Sequence, residues 1–182
     1  MTVSSTTTKN SASGNGSTSA FPYNFKIFSD DDIAVIIRTD STGAEVTKTK
    51  TTHYTVSGVG DSSGGNVTFT SGNIPASGET VVLLRSTART QLTDYVANDP
   101  FPAESHENAL DKLTFIAQEI EEELGRSIKV SKTNTISSSE FTTSATERAN
   151  KILSFDTSGD LTVTEGKVDT VTVSVSGLST GA

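Results

Sequence analysis

The stretch TDYVANDPFPAESHENALDKL, Thr93 to Leu113, divides the chain. Ahead of it lies sequence rich in Thr, Ser and Gly, broken by short apolar runs. Within it, Pro100 and Pro102 force extended backbone on Asp99 and Phe101. Pro102 suits the first turn of a helix, where its missing N–H costs nothing. Glu104 and Glu107 then fall near the positive end of the helix dipole. No residue from there to Gly125 breaks a helix, and Gly125 suits its end. The spacing predicts a rod of about 22 residues, roughly 33 Å long. The segment is expected to join a small β domain to a helical assembly element.

On this rod His106, Leu110, Leu113, Ala117, Ile120 and Leu124 are spaced in alternating steps of four and three, as in a heptad seam. A second row of Ala109, Leu113, Ile116 and Ile120 widens the stripe. That width suits a helix with more than one neighbour, as in a trimer. A single surface helix packed on its own β domain accommodates the same pattern, and the seam is too short to decide between them. Glu121, Glu122 and Glu123 lie near the negative helix end, an unfavourable placement that Arg126 and Lys129 offset. As a charge block they read as a solvated face, with a basic partner as the alternative.

Working back toward the N-terminus, the pattern from Phe21 to Ser86 is β. Phe21, Tyr23, Phe25 and Ile27 alternate, and Ile33 to Arg38 forms a short apolar run. His53 to Gly58 alternates with Tyr54 and Val56 on one face. Val67 and Phe69 alternate with threonines, and Thr80 to Arg85 reads as a buried strand. Turn chemistry separates these runs. The expected architecture is mostly β with one long helix, the β part being a small antiparallel sandwich or barrel. Met1 to Ala20 is nearly all small and polar, so it is expected to be a flexible arm unless a partner orders it. Beyond the helix, ILSF and LTV flank DTSGD, a hairpin whose Gly159 supplies positive φ. Val168 to Val175 alternates apolar and polar residues, as a strand that pairs with another chain.

The bulk composition bounds the function. The hydrophobic share of the 182 residues is 32%, below the usual globular level, which points to a modular or oligomeric chain. A net charge of −8 disfavours nucleic-acid binding and docking on anionic bilayers. No run is long enough to span a membrane, and Met1 to Gly16 lacks the apolar core of a secretory signal. With no cysteine, thiolate metal sites, cysteine nucleophiles and disulfides are out.

Catalytic groups are sparse. Histidine occurs only at 53 and 106, neither with a metal-ligand partner at helical or strand spacing. SDDD, Ser29 to Asp32, lacks the spacing of a calcium loop and reads as a solvated turn. GVGDSSGG lacks the Lys-Ser/Thr pair of a phosphate loop and reads as a hairpin loop. A polysaccharide-cleaving pair of carboxylates needs an aromatic groove, and the chain has no Trp and three Tyr. No catalytic residue, metal site or cofactor is expected, and the protein is not expected to be an enzyme. A glycan-binding surface would need an exposed aromatic platform such as Phe21, Tyr23 and Phe25.

Several stretches taken together, FPYNFKIFSDDDIAVIIR, HYTVSG, GGNVTFT and above all Arg85 to Val130, resemble the N-terminal domain of tail fibres and tailspikes of short-tailed bacteriophages. The hairpin RANKILSFDTSGDLTV resembles one that follows that domain in such fibres. The resemblance implies a virion structural protein, made in the host cytoplasm, that forms a homotrimer. It would attach the fibre to the adaptor and nozzle proteins of the tail and support host adsorption. A separate distal fibre protein is a further possible partner, since a complete fibre continues into a receptor-binding tip. The alternatives are a direct host-glycan adhesin and the anchor of a polysaccharide-depolymerising tailspike. On this reading Leu110, Leu113, Ile116, Ala117, Ile120 and Leu124 form the trimer interface. By similarity, Thr90, Gln91, Thr93, Asp94, Tyr95, Phe101, Pro102 and Glu104 shape the tail attachment. The implied organisation is an arm over 1–20, a β-rich attachment domain over 21–98, a helical neck over 99–126, and an extended segment with a β hairpin leading to a shaft over 127–182.

Overall fold

The computed structural model describes residues 3–91, 93–94, 102–135 and 143–165. It is mostly β with antiparallel sheets and one long helix, and it divides into two compact units, Met1–Ser127 and Ile128–Ala182. Among the described residues the sheets do not close into a barrel.

The first unit holds seven strands: β1 (Lys9–Ser13), β2 (Ala20–Tyr23), β3 (Ile33–Thr39), β4 (Glu45–Lys48), β5 (Tyr54–Val56), β6 (Gly65–Phe69) and β7 (Glu79–Arg85). One sheet has the order β1-β7-β3-β4 and the other β2-β6-β5. Period-two alternation supplies the core between them. Ile33, Val35 and Ile37 of β3, and Val81 and Leu83 of β7, meet Phe21, Tyr23, Tyr54, Val67 and Phe69 of the other sheet. Phe25 and Ile27 continue the alternation beyond β2 and are equally buried. The Phe21 and Phe69 rings meet edge to face at 5.6 Å, the geometry their quadrupoles favour.

Two expectations are corrected here. Lys9–Ser13, assigned to a flexible arm, pairs antiparallel with β7 from Lys9↔Leu84 to Ser13↔Thr80. Upstream of it, the Thr8 carbonyl accepts from the Arg85 amide at 2.8 Å. The pairing is carried by backbone groups, so the small polar side chains of KNSAS advertise nothing. The aromatic platform fails for the opposite reason: Phe21, Tyr23 and Phe25 are 2–3% exposed and form the core. Besides β1, β4 was also unforeseen. Both are edge strands whose side chains are mostly exposed.

GVGDSSGG is a hairpin loop between β5 and β6. Ser63 donates to the Asp61 carboxylate from both its amide (2.8 Å) and its hydroxyl (2.6 Å). Gly64 has φ +87, and a Cβ there would lie 2.1 Å from the Tyr23 carbonyl oxygen. The loop therefore rides against the β2 backbone at a position only glycine fits.

Helix α1 runs Ala103–Gly125. Pro102 stands at the cap position, one residue earlier than the first-turn placement expected, and no side chain caps the helix. Glu104 is the acidic residue of the first turn. At the other end, Arg126 pairs with Glu122 at 2.9 Å, drawing one of the three clustered glutamates into an ion pair.

The second unit contains a short helix, α2 (Ala145–Arg148), and a hairpin of β8 (Lys151–Phe155) and β9 (Leu161–Glu165). Ser144 and Glu147 form a reciprocal capping box on α2, which satisfies two otherwise orphaned amides. The hairpin turn has Gly159 at φ +83, as the DTSGD sequence requires. The Val168 to Val175 strand expectation lies outside the described residues.

Gly64→Ala is expected to cost about 1–3 kcal/mol in strain plus the clash with β2, whereas Gly60→Ala, with φ +81 but open space around it, incurs the backbone term alone. Urea unfolding of the two variants checks this. Equal losses would contradict the packing described for Gly64.

Candidate assembly interface

The β domain holds α1 through one line of side chains. Asp111 and Phe115 are its buried residues, four apart and thus on one face. Phe115 is 2% exposed and lies 5.4 Å from the Phe28 ring. The Arg85 guanidinium sits over the Phe115 ring at 4.0 Å and within 5.9 Å of Phe25. Its Nε meets Glu119 at 3.0 Å, and its Nη2 donates to the Gln118 carbonyl oxygen at 2.6 Å. The Thr87 amide (3.0 Å) and hydroxyl (2.5 Å) also donate to Glu119. One turn earlier, Lys26 pairs with Asp111 at 3.1 Å and lies over the Phe28 ring at 4.6 Å.

This cluster is buried, charged and satisfied. Burial pulls the Arg85 guanidinium below its ordinary pKa, and the Glu119 hydrogen bond opposes that shift. Removing either partner would strand the other charge in a site of low polarity. The N-terminal segment also joins it: Gln118 Nε2 donates to the Ser5 carbonyl at 3.0 Å. Residues 3–8 thus lie on their own domain, rather than waiting for a partner to order them.

The docked face decides what is left free. At about 100° per residue, Leu110, Leu113, Ala117, Ile120 and Leu124 all fall within roughly 40° of the point opposite Phe115. Leu110 is 53%, Leu113 65%, Ile120 43% and Leu124 53% exposed. Ala117 is exposed as well, and Ile116 is half-buried at the flank of the stripe. The helix therefore turns its acidic and aromatic line inward and its aliphatic stripe outward. An exposed Leu is ordinary, but a continuous row of them is not.

The attachment residues distribute unevenly. Thr90, Gln91 and Thr93 line an apolar groove of about 360 Å³ with His106, Ala109, Leu110, Leu113 and Ile116. Lys112 Nζ closes it by donating to the Thr90 carbonyl at 2.5 Å, and Gln91 donates to the Thr93 carbonyl at 2.6 Å. These three residues thus flank the aliphatic stripe. Asp94 is exposed, Pro102 caps the helix and Glu104 is exposed in its first turn. Tyr95 and Phe101 lie outside the described residues.

The other residues singled out from sequence have structural roles. Asp32 is buried, not solvated, and accepts from the amides of Phe28 (3.2 Å), Ser29 (2.9 Å) and Ala88 (3.4 Å). Asp30 and Asp31 both pair with Lys50. His53 Nδ1 accepts from the Thr49 amide at 3.0 Å, closing a turn. Among the described residues, no three His, Asp or Glu side chains converge as a metal site would require. Phe115, Arg85, Asp111 and Glu119 escaped the sequence reading. The one available signal was the Asp111, Phe115, Glu119 row at i, i+4 and i+8, which its two carboxylates disguised as a solvent face.

Arg85→Met is expected to lower unfolding stability by about 3–5 kcal/mol, because Glu119 is left buried and unpaired. Adding Glu119→Met should recover part of that loss. A double variant no better than the single one in urea titrations would contradict the buried pairing.

No family model matches the chain. Over 121 residues it is 38% identical to the tail spike protein of Salmonella phage epsilon15. The match covers 66% of this chain and 11% of that relative. The shared stretch is thus most of the present chain and a small part of a much longer protein. Over that stretch the chain is related to the tail spike proteins of short-tailed bacteriophages.

Proposed function

We propose that the chain is a homotrimeric anchor of the phage tail, located in the virion, that joins a fibre or spike to the adaptor and nozzle proteins. The relative is a tail spike protein, which supports a structural or adhesive role in the tail. A match to 11% of that relative accords with an attachment module, the receptor-engaging part residing elsewhere. No catalytic constellation enters this reading, and its mechanism is mechanical.

The observation that carries it is the outward stripe of Leu110, Leu113, Ala117, Ile120 and Leu124 on a helix already docked by its other face. Three such helices, packed stripe to stripe, form a neck. Each large side chain fully buried there contributes roughly 1.5–3 kcal/mol before association costs. Thr90, Gln91 and Thr93 stand beside the stripe, so they border both the neck and whatever the β domain meets on the tail. The buried Arg85 cluster makes the connection stiff, since the helix cannot tilt without breaking it.

Leu113→Asp or Ile120→Asp is expected to convert the trimer to a monomer in sedimentation velocity, with the β domain still folded by circular dichroism. An intact trimer would contradict the neck. Attachment has its own test. The unmodified chain should co-sediment with tail particles stripped of fibres, and the Leu113→Asp chain should do so less well. A trimer that leaves such particles bare would contradict the anchoring role while sparing the neck.

A further inference from the structure

We infer that residues 3–13 act as a releasable strap that locks α1 to the β domain: closed, the strap shields the Arg85 cluster, and open, it lets α1 loosen while both sheets stay folded. The strap touches three elements. Its strand β1 pairs with β7. The Asn10 side-chain oxygen accepts from the Asn24 amide, just beyond β2, at 3.0 Å. The Ser5 carbonyl accepts from Gln118 Nε2 of α1 at 3.0 Å. The oxygen of that same Gln118 side chain accepts from Arg85, so Ser5 fixes the orientation of a group that holds the guanidinium. Ser4, Ser5 and Thr7 also line a cavity of about 180 Å³ together with Arg85, Asp111 and Phe115. Lifting the strap opens that cavity to bulk water.

The fastening of the strap explains why it can lift. None of its residues belongs to the apolar core, whose first member is Phe21. Within β1, Lys9, Ser11, Ala12 and Ser13 are exposed and Asn10 is half-buried. Only Thr8, just ahead of β1, is buried. The strap is thus held by backbone hydrogen bonds and the Asn10 contact, at the edge of its sheet. Segments of this kind open at a lower free energy than a packed core. The docking of α1 has the opposite character. It relies on the Arg85–Glu119 and Lys26–Asp111 ion pairs, which are strong only while water is kept from them. Lifting the strap therefore weakens the helix docking and leaves the core intact. The strap acts within a single copy, so it operates however α1 assembles.

Two amides report the two events. The Arg85 amide donates to the Thr8 carbonyl and follows the strap. The Thr87 amide donates to Glu119 and follows the docked helix. In the unmodified full-length chain, hydrogen exchange read residue by residue is expected to show both roughly tenfold less protected than the β3 amides bonded to β7. The bonded pairs Thr8 with Arg85 and Gly14 with Glu79 set the alternation of the ladder, so the Ala12 amide faces β7 and the Ser11 amide faces away. Ala12→Pro therefore removes a ladder donor, and Ser11→Pro removes none. Ala12→Pro is expected to speed Thr87 exchange by roughly tenfold with β3 unchanged, and Ser11→Pro to leave Thr87 as it was. A Thr87 amide that keeps its protection in Ala12→Pro, while Arg85 loses its own, overturns the lock. Ala12→Pro that unfolds the sheets, or speeds β3 as much as Thr87, overturns the independent release. Equal acceleration by Ser11→Pro overturns the dependence on the β1 ladder.

Discussion

Arg85 lies against the Phe115 ring with its guanidinium shared between Glu119 and Gln118, and this contact determines which side of α1 the rest of the molecule can use. Long amphipathic helices ordinarily bury the aliphatic stripe on their own domain. Here the own-domain face is one aromatic ring flanked by carboxylates, and the cations that answer them come from the β domain. Lys26 and Arg85 supply those charges. With that side occupied, Leu110, Leu113, Ile120 and Leu124 are left 43–65% exposed, bordered at one end by Thr90, Gln91 and Thr93. A purely aliphatic contact would tolerate rotation of the helix about its axis. A buried, hydrogen-bonded ion pair does not, because every departure leaves charge without a partner.

The same logic orders the elements around it. Glu119 also collects the Thr87 amide and hydroxyl, and Asp32 collects the Ala88 amide. The strand exit after β7 is therefore pinned on both sides, and Arg89, Thr90, Gln91 and Thr93 lie along the flank of the helix. That path explains why Thr90, Gln91 and Thr93, far from the stripe in sequence, form one groove with Leu110 and Leu113. Gln118 ties the N-terminal segment to the same site through Ser5. Sheet, helix and terminus thus converge on one cluster of charge.

Legibility in the sequence followed which groups carry each element. Where side chains alternate against a core, as in Phe21 to Ile27, Tyr54 and Val56, or Val67 and Phe69, the pattern was plain, and the structure buries the alternating apolar residues, Val56 in part. The hairpin around Gly159 was equally plain, because its turn needs positive φ. Strands β1 and β4 were not, since their side chains are mostly exposed and backbone hydrogen bonds hold them without marking residue choice. Asp32 illustrates a second blind spot. Read beside Asp30 and Asp31 it was one of three solvated acids, yet it is the buried acceptor of three amides. Phe115 was overlooked because it lies on the side of the helix opposite the aliphatic stripe, in line with the carboxylates Asp111 and Glu119. Heptad spacing showed where the stripe runs, but only the β domain's cations reveal that it faces outward.

The account therefore turns on whether the outward stripe is covered by identical copies. Native mass spectrometry of the unmodified chain over a dilution series tests it most directly. The account predicts a species of three times the 19.0 kDa chain mass that persists to low concentration. A single 19.0 kDa species throughout the series would contradict it.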